Sequence, residues 1–169
     1  GYIASRTGLT VCTACTPGFF AKGNGNSICI PCPAGYNSGT ASGGCGKCSA
    51  GKYSPSYSSS QCLDCAAGTY STAGVTVCPK CDPGFYSPAS SSLCTKCARG
   101  KFAISAGTAS CSICPAGKSS DSGATSCITC PAGRAASAGA SACTPCAAGT
   151  YAASAETATC TSCESGYYS

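Results

Sequence analysis

Histidine, methionine and tryptophan are absent from the 169 residues, and leucine, isoleucine, valine and phenylalanine together number only 16. Without histidine, a serine, threonine or cysteine nucleophile has no imidazole base, and the most common neutral metal ligand is missing. So few bulky apolar side chains cannot enclose the core on which a globular domain of this length ordinarily depends. The composition therefore excludes a conventionally packed domain and any chemistry that requires histidine.

Carboxylates are scarce as well. The five are Asp64, Asp82, Asp121, Glu156 and Glu164, and only the last two lie close to each other in the sequence. No pair among them suits general acid–base catalysis, so we expect no enzyme and no cofactor. No apolar run approaches the roughly 18 residues of a membrane-spanning helix, and neither an initiator methionine nor a secretory signal is present. We therefore expect no membrane insertion in this segment.

Cysteines, by contrast, are abundant and periodic. There are 20, and every one belongs to a Cys-x-x-Cys pair. The ten pairs are 12/15, 29/32, 45/48, 62/65, 78/81, 94/97, 111/114, 127/130, 143/146 and 160/163. Successive pairs begin at an almost constant interval, and a glycine stands three positions after the second cysteine of each pair. This periodicity makes the chain a tandem repeat, and a cysteine content above roughly 8–10% is typical of disulfide scaffolds.

We interpret residues 1–169 as one continuous array of ten such repeats. The repeats start near Gly1, Gly18, Gly35, Gly51, Gly68, Gly84, Gly100, Gly117, Gly133 and Gly149. Residues 166–169, beginning with Gly166, would start an eleventh repeat. Neither end carries the polar cap of a finite solenoid, which predicts an excerpt of a longer array.

Each repeat predicts a short, irregular two-stranded hairpin. An aromatic residue follows the glycine by two positions in seven repeats, the last being Tyr168, whereas Ser119 and Ala135 occupy that position in two others. Pro17-Gly18 suits a type II turn, and Pro-Ala-Gly at 33–35 suits type I. No stretch has sustained helical periodicity. The expected fold is a small disulfide-rich β structure with little helix, an elongated solenoid-like rod advancing roughly 10 Å per hairpin and about 100 Å in all.

The cysteine pairs have two chemical interpretations. Cys-x-x-Cys pairs repeated at this interval match the spacing of tetrathiolate zinc sites, and ten pairs would supply five sites. The repeats do not alternate with a period of two, as such sites would require. We therefore prefer disulfides and an extracellular, oxidising environment, and a metal–thiolate array remains an alternative.

Translational equivalence favours one pairing rule, in which the second cysteine of each pair bonds to the first cysteine of the next. It gives Cys15 with Cys29, Cys32 with Cys45, Cys48 with Cys62, Cys65 with Cys78, Cys81 with Cys94, Cys97 with Cys111, Cys114 with Cys127, Cys130 with Cys143 and Cys146 with Cys160. Cys12 and Cys163 would then bond between segments or subunits. A competing rule joins first to first and second to second across two neighbouring pairs, which closes all 20 cysteines internally but needs a two-repeat period.

The unit C-P-A-G-x-Y-S…G-A-x-x-C-x-x-C, plainest from Cys65 to Cys81 and from Cys130 to Cys146, resembles the ephrin-receptor-like cysteine-rich repeat. This repeat is related to the modules of tumour necrosis factor receptors and EGF-like proteins. Tandem arrays of the kind also resemble ciliate immobilisation antigens and other protist surface or flagellar-hair proteins. The resemblance implies the preferred loop pairing, a secretory route and a rod-like ectodomain.

Serine runs at the predicted hairpin tips are candidate O-glycan sites. They are Ser58, Ser59, Ser60, Ser90, Ser91 and Ser92, close to Pro55 and Pro88. The net charge is +5, and its only cation cluster is Lys96, Arg99 and Lys101, which we interpret as a solvated face without nucleic-acid binding.

Two function classes fit these features. The first is a secreted or cell-surface structural glycoprotein that forms a fibre or coat, with copies of itself assembled head to tail or laterally as its partners. The alternative is the stalk of a receptor or adhesin ectodomain that binds a protein ligand. A module of the second class would be expected to carry locally deviant repeats, and the repeats here are uniform.

Overall fold

A computed structural model of the chain describes residues 1–4, 11–23 and 25–164. Gly166 and Tyr168, which the repeat pattern assigns to an eleventh repeat, lie outside the described residues. The described part contains no helix, and so none that could cross a membrane. Its strands are β1 (Tyr2–Ile3), β2 (Thr13–Ala14), β3 (Phe19–Phe20), β4 (Ile30–Pro31), β5 (Tyr36–Asn37), β6 (Gly46–Lys47), β7 (Lys52–Tyr53), β8 (Leu63–Asp64), β9 (Phe85–Tyr86), β10 (Thr95–Lys96), β11 (Lys101–Phe102), β12 (Ser112–Ile113), β13 (Lys118–Ser119), β14 (Ile128–Thr129), β15 (Arg134–Ala135), β16 (Thr144–Pro145), β17 (Thr150–Tyr151) and β18 (Thr161–Ser162).

Consecutive strands pair into antiparallel hairpins, nine in the described residues, beginning with β1 and β2 and ending with β17 and β18. The first strand of each hairpin follows the repeat's glycine, and the second strand is the dipeptide inside a Cys-x-x-Cys pair. Between β8 and β9 the chain carries one more repeat, in which the Tyr70 N–H donates to the Pro79 carbonyl at 3.1 Å. The predicted small disulfide-rich β class with little helix is confirmed.

A tight turn precedes each hairpin and requires glycine. The glycines three residues after the second cysteines have φ between 76° and 86°, and the next residue donates its N–H back three positions, as from Tyr36 to the Pro33 carbonyl at 3.1 Å. Positive φ at the third turn residue defines a type II turn, which glycine adopts without steric cost. The type I turn expected at 33–35 is therefore wrong: Gly35 has a φ of 84°.

The chain divides into two compact units. One comprises Gly1–Pro79 and Pro88–Leu93, and the other comprises Lys80–Ser87 and Cys94–Ser169. The same pattern of contacts recurs inside each unit, so that one set of rules describes both.

Adjacent hairpins within a unit meet at a small residue three positions after each turn glycine. Alanine or serine occupies this position throughout the described hairpins that follow residue 18, and all are buried: Ala21, Ser38, Ser54, Ser71, Ser87, Ala103, Ser120, Ala136 and Ala152. The Ser71 N–H donates to the Ser91 carbonyl, and the Ser71 carbonyl accepts from the Gly51 N–H. The Ser71 hydroxyl donates to the Lys52 carbonyl at 3.0 Å. Because nearest neighbours are joined through the backbone here, only a small side chain fits.

A second set of contacts reaches the hairpin two steps further along the chain. Four carbonyls of second cysteines in the first unit accept the N–H of a hairpin-tip residue, and four do so in the second. The tip residues are Ala41, Ser58, Gly74, Ser90, Gly107, Gly123, Gly139 and Glu156, and all have positive φ. In one case the Ser90 N–H donates to Cys65 at 2.9 Å. Each hairpin therefore contacts its second neighbour as well as its first.

The tip residues also have a fixed position in the sequence. Each of these eight residues lies four positions before the first cysteine of the next pair, as Ser58 precedes Cys62 and Gly74 precedes Cys78. The longer and the shorter repeats differ only before the tip. An additional residue therefore lies on the rising side of a hairpin, between the turn glycine and the tip. The descending side, from the tip to the next first cysteine, has a constant length.

The two repeats without an aromatic residue keep the same backbone pairing. Ser119 and Ala135 are buried, and Ser119 forms a parallel bridge with Ala140 of the next hairpin. Phe102 forms the equivalent bridge with Ala124. The ring is therefore not needed for this contact.

We predict that alanine will be tolerated very differently at two equivalent glycines. A Cβ at Gly51 would overlap the Ser90 carbonyl, whereas a Cβ at Gly133 meets nothing within 4 Å in the described part of the chain. Both substitutions carry the cost of a left-handed alanine, about 1–2 kcal/mol. Gly51→Ala must in addition displace a packed hairpin, which costs about 1–3 kcal/mol more.

Amide hydrogen exchange measures the difference at equivalent reporters. In wild type the Cys65 N–H donates to Gly51, and the Cys146 N–H donates to Gly133. We expect Gly133→Ala to accelerate exchange at Cys146 by about 5- to 30-fold, and Gly51→Ala to accelerate exchange at Cys65 by roughly another tenfold. Equal acceleration at the two sites would contradict the close approach of the hairpin tip.

Candidate functional site: the disulfide array and its two free thiols

The nine disulfides each close one hairpin loop. They join Cys15–Cys29, Cys32–Cys45, Cys48–Cys62, Cys65–Cys78, Cys81–Cys94, Cys97–Cys111, Cys114–Cys127, Cys130–Cys143 and Cys146–Cys160. The Cα atoms of each bonded pair are 5.5–5.8 Å apart, and the bonded residues are 13 or 14 positions apart in the sequence. No bond follows the competing rule of first to first and second to second.

The second cysteines of eight pairs are among the most buried residues of the described chain. From Cys15 to Cys130 these cysteines are 0–1% exposed. At Cys65 the backbone is also fully bonded, because its N–H donates to Gly51 and its carbonyl accepts from Ser90, both at 2.9 Å. The backbone of Cys65 therefore joins its own hairpin to a tip residue two hairpins further on, and its sulfur bonds to Cys78 of the repeat between them. In this chain cysteine takes the place that a bulky aliphatic residue has in an ordinary core.

The metal–thiolate alternative finds no ligand set in the described residues. Eighteen of the 20 cysteines are in disulfides, which leaves Cys12 and Cys163 as free thiols. No group of three or more cysteine or carboxylate side chains in that part of the chain is placed to hold an ion.

The two free thiols are both accessible. Cys12 is exposed and lines an open depression of about 480 Å³ together with Tyr2 and Ala21, and Cys163 is half-buried. Cys12 is the first cysteine of its pair and Cys163 is the second of its own. Each therefore has the position that elsewhere in the array bonds to a cysteine of an adjacent repeat.

A polar clamp ties one hairpin tip to the strands two hairpins earlier. The Lys52 ammonium donates to the Asp64 carboxylate at 2.7 Å, and the Ser90 hydroxyl donates to the same oxygen at 2.7 Å. Lys52 and Asp64 face each other across β7 and β8. The hydrogen bond from Lys52, and then that from Ser90, hold the pKa of the Asp64 carboxyl below its usual value of 3.8. The clamp is exposed, so salt will screen it.

The second unit has a similar clamp, but its carboxylate belongs to the hairpin tip and not to a strand. The tip residue Glu156 accepts from Lys118 at 3.0 Å and from Thr129 at 3.3 Å. The hydrogen bond and charge of Lys118 lower the pKa of the Glu156 carboxyl below its usual 4.5. Glycine tips are instead packed against an aliphatic stem, as Gly74 is against Lys47. The tip site therefore accepts either a polar or an apolar contact.

The three residues of the predicted cation cluster, Lys96, Arg99 and Lys101, do not share one binding partner in the described part of the structure. The Lys96 ammonium lies 5.9 Å from the centroid of the Phe85 ring across β9 and β10. Arg99 is 3.9 Å from the Asp121 carboxylate, with both side chains largely exposed. Lys96 and Lys101 border a shallow depression of about 310 Å³.

The six candidate glycan serines differ in how their hydroxyls are used. Ser59 donates to the Ser56 carbonyl, Ser90 to Asp64 and Ser91 to the Pro88 carbonyl. Ser58 is half-buried, and its N–H donates to Cys32. Ser60 and Ser92 are exposed, and their hydroxyls have no partner in the described residues.

Two parts of this arrangement were not predicted from the sequence. One is the buried column of small residues, whose signal was an alanine or serine three positions after each turn glycine. The other is the tip position, whose signal was its constant spacing before the first cysteine. The tip position was not recognised where its residue is Ala41 or Glu156, because alanine and glutamate seldom adopt a positive φ.

The chain matches a known family of repeats in two segments. Residues 1–38 and 84–122 match the family model described as tyrosine-protein kinase ephrin type A/B receptor-like. The match confirms the resemblance to the ephrin-receptor-like cysteine-rich repeat. No curated protein matches the chain.

The Asp64 clamp predicts an acid-sensitive contact. Because the pKa of Asp64 is lower in the folded state than its usual 3.8, the contribution of the clamp is complete above about pH 4 and is lost as the pH falls through the folded value. We expect carboxyl NMR titration to place the Asp64 pKa below 3.8 in wild type and higher in Lys52→Gln. Lys22→Gln, a charge change outside the clamp, is the control. An Asp64 titration that is unaltered by Lys52→Gln would show that the clamp does not form.

Proposed function

We propose that this chain, which is built of ephrin-receptor-like cysteine-rich repeats, is a non-enzymatic extracellular structural protein of a fibre or surface coat. The single observation that carries the proposal is the uniform disulfide array, which repeats one bond per hairpin from Cys15 to Cys160. Such an array is stable without a large core, and a tandem arrangement can be lengthened by adding repeats. The number of disulfides and the receptor-like repeats support an oxidising, extracellular or cell-surface location.

Self-association through the free thiols would extend the array. Every disulfide joins a second cysteine to the first cysteine of the next pair, so Cys163 of one copy and Cys12 of another have the matching positions. We propose that they bond head to tail. A disulfide donor such as oxidised glutathione accepts the two electrons, and its two sulfurs leave as thiols while the Cys163–Cys12 bond forms.

A receptor or adhesin ectodomain is the second candidate. The observation that favours it is the exposure of large apolar side chains, which include Tyr57 at 69%, Leu93 at 61% and Ile104 at 72%. Exposed apolar groups of this kind supply contacts to protein ligands when they are grouped. Electron microscopy of native material separates the two: long uniform fibres support the structural role, and single short particles on membranes support the ectodomain role.

Cysteine variants test the head-to-tail bond. With oxidised glutathione, the wild-type chain should give a ladder of multimers on non-reducing electrophoresis, and the ladder should disappear on reduction. Cys12→Ser and Cys163→Ser should each stay monomeric, with the remaining thiol bonded to glutathione, because neither variant alone has both partners of the head-to-tail bond. An equimolar mixture of the two variants should give a heterodimer through Cys163 and Cys12. A wild-type chain that stays monomeric with two titratable thiols would refute intersubunit bonding.

Glycosylation is expected where hydroxyls are free. We propose O-glycans at Ser60 and Ser92, rather than at Ser59, Ser90 and Ser91, whose hydroxyls are hydrogen-bonded within the fold. Glycopeptide mass spectrometry of native material should find hexose or hexosamine mass on the first two. The double substitution Ser60→Ala and Ser92→Ala should remove it, whereas Ser59→Ala and Ser91→Ala should not. Glycans confined to the hydrogen-bonded serines would contradict the assignment.

A further inference from the structure

The disulfides create a second covalent route through the chain. From Cys15 to Cys160 the peptide backbone passes through every hairpin loop, but a shorter route crosses each loop at its disulfide and follows only the dipeptides inside the Cys-x-x-Cys pairs. Those eight dipeptides are Ile30-Pro31, Gly46-Lys47, Leu63-Asp64, Pro79-Lys80, Thr95-Lys96, Ser112-Ile113, Ile128-Thr129 and Thr144-Pro145. The nine loops lie outside this route.

We propose that this short route is a tension-bearing tether, which limits the extension of the chain and stays continuous when any of the nine loops is cut. Such a tether is distinct from the fibre or coat role. It is a property of single chains, so it holds whether or not copies polymerise.

The limit on extension follows from chain geometry. Each dipeptide linker spans three residue steps, and each disulfide holds its Cα atoms 5.5–5.8 Å apart. At a full extension of about 3.6 Å per residue, the route from Cys15 to Cys160 can reach only about 140 Å, whereas the same residues without disulfides would reach about 500 Å. Opening one disulfide therefore releases about 40 Å of chain. Even complete loss of the hydrogen-bonded hairpins cannot lengthen the oxidised chain beyond this limit.

The tolerance of cleavage follows from the same topology. A cut inside a loop, such as after Lys52, leaves both new ends attached through Cys48 and Cys62. A cut inside a dipeptide severs the route, because no disulfide crosses it. An extracellular protease can therefore break the tether between Cys15 and Cys160 at only eight short segments.

The lysines and arginines provide a test with trypsin, because some lie in the dipeptides of the short route and others lie in the loops. Lys47, Lys80 and Lys96 lie in dipeptides, whereas Lys22, Lys52, Arg99, Lys101, Lys118 and Arg134 lie in loops. The chain is first alkylated at its free thiols to prevent exchange, and it is then digested with trypsin in denaturant without reductant. We expect wild type to give four disulfide-closed fragments, 7–47, 48–80, 81–96 and 97–169, the last without the excised dipeptide 100–101. Apart from the dipeptide 100–101 and residues 1–6, which contain no cysteine, smaller peptides should appear only after reduction.

Two matched triple variants separate the classes. Lys47→Gln, Lys80→Gln and Lys96→Gln together should keep residues 7–169 as one species on non-reducing gels, although every loop site is cut. Lys52→Gln, Lys101→Gln and Lys118→Gln together should fragment like wild type. If the first variant falls apart, the tether is wrong. Wild type that stays joined across Lys47 but separates at Arg99 and Arg134 would establish the competing disulfide rule and overturn the proposal.

Single-molecule stretching measures the length limit directly. With handles at the two termini, the oxidised chain should extend to no more than about 220 Å, which includes both tails. A dithiol such as dithiothreitol attacks one sulfur of a disulfide, releases the other as a thiolate and becomes a cyclic disulfide itself. In its presence we expect up to nine steps of about 40 Å each. Extension well past the limit without reductant would refute the tether, independently of whether fibres form.

Discussion

The bond between the second cysteine of one pair and the first cysteine of the next is the constraint on which the rest of the structure depends. It holds the ends of a 13- or 14-residue loop at a Cα separation of 5.5–5.8 Å, and the chain-entropy model assigns a closed loop of roughly this size about 3 kcal/mol. Two-residue strands could not persist alone, since isolated hairpins are marginal in water. With the loop closed, their few hydrogen bonds suffice.

Small side chains then let the backbone itself carry the packing. Ser71 is fully buried because its N–H, carbonyl and hydroxyl all have partners on adjacent hairpins. The Ser90 carbonyl approaches Gly51 so closely that no Cβ would fit between them. These contacts tie a hairpin to its first and second neighbours in the same unit, whereas most solenoids rely on nearest neighbours alone. An array with so few bulky apolar residues thus couples its repeats through hydrogen bonds and sulfur.

Periodicity explains what sequence reasoning could predict. The near-constant spacing of the cysteine pairs predicted the hairpins. In the structure Cys65 bonds to the first cysteine of the next pair, Cys78, and the equivalent cysteines follow the same rule. The turn at 33–35 was assigned wrongly, because Pro-Ala-Gly fits two turn types until the φ of Gly35 is known. The Lys52–Asp64–Ser90 clamp joins residues of three different repeats, and only the contact between second neighbours brings them together. Local patterns do not encode that contact.

The constant interval between the hairpin tip and the next cysteine has a consequence for how such arrays diverge. Ser58 and Gly74 each lie four positions before a first cysteine, although their repeats differ in length. Insertions and deletions can accumulate on the rising side of a hairpin, where the loop only bulges. On the descending side a single added residue would rotate the tip N–H away from the cysteine carbonyl to which it donates. Length polymorphism among related arrays should therefore be confined to one side of each repeat.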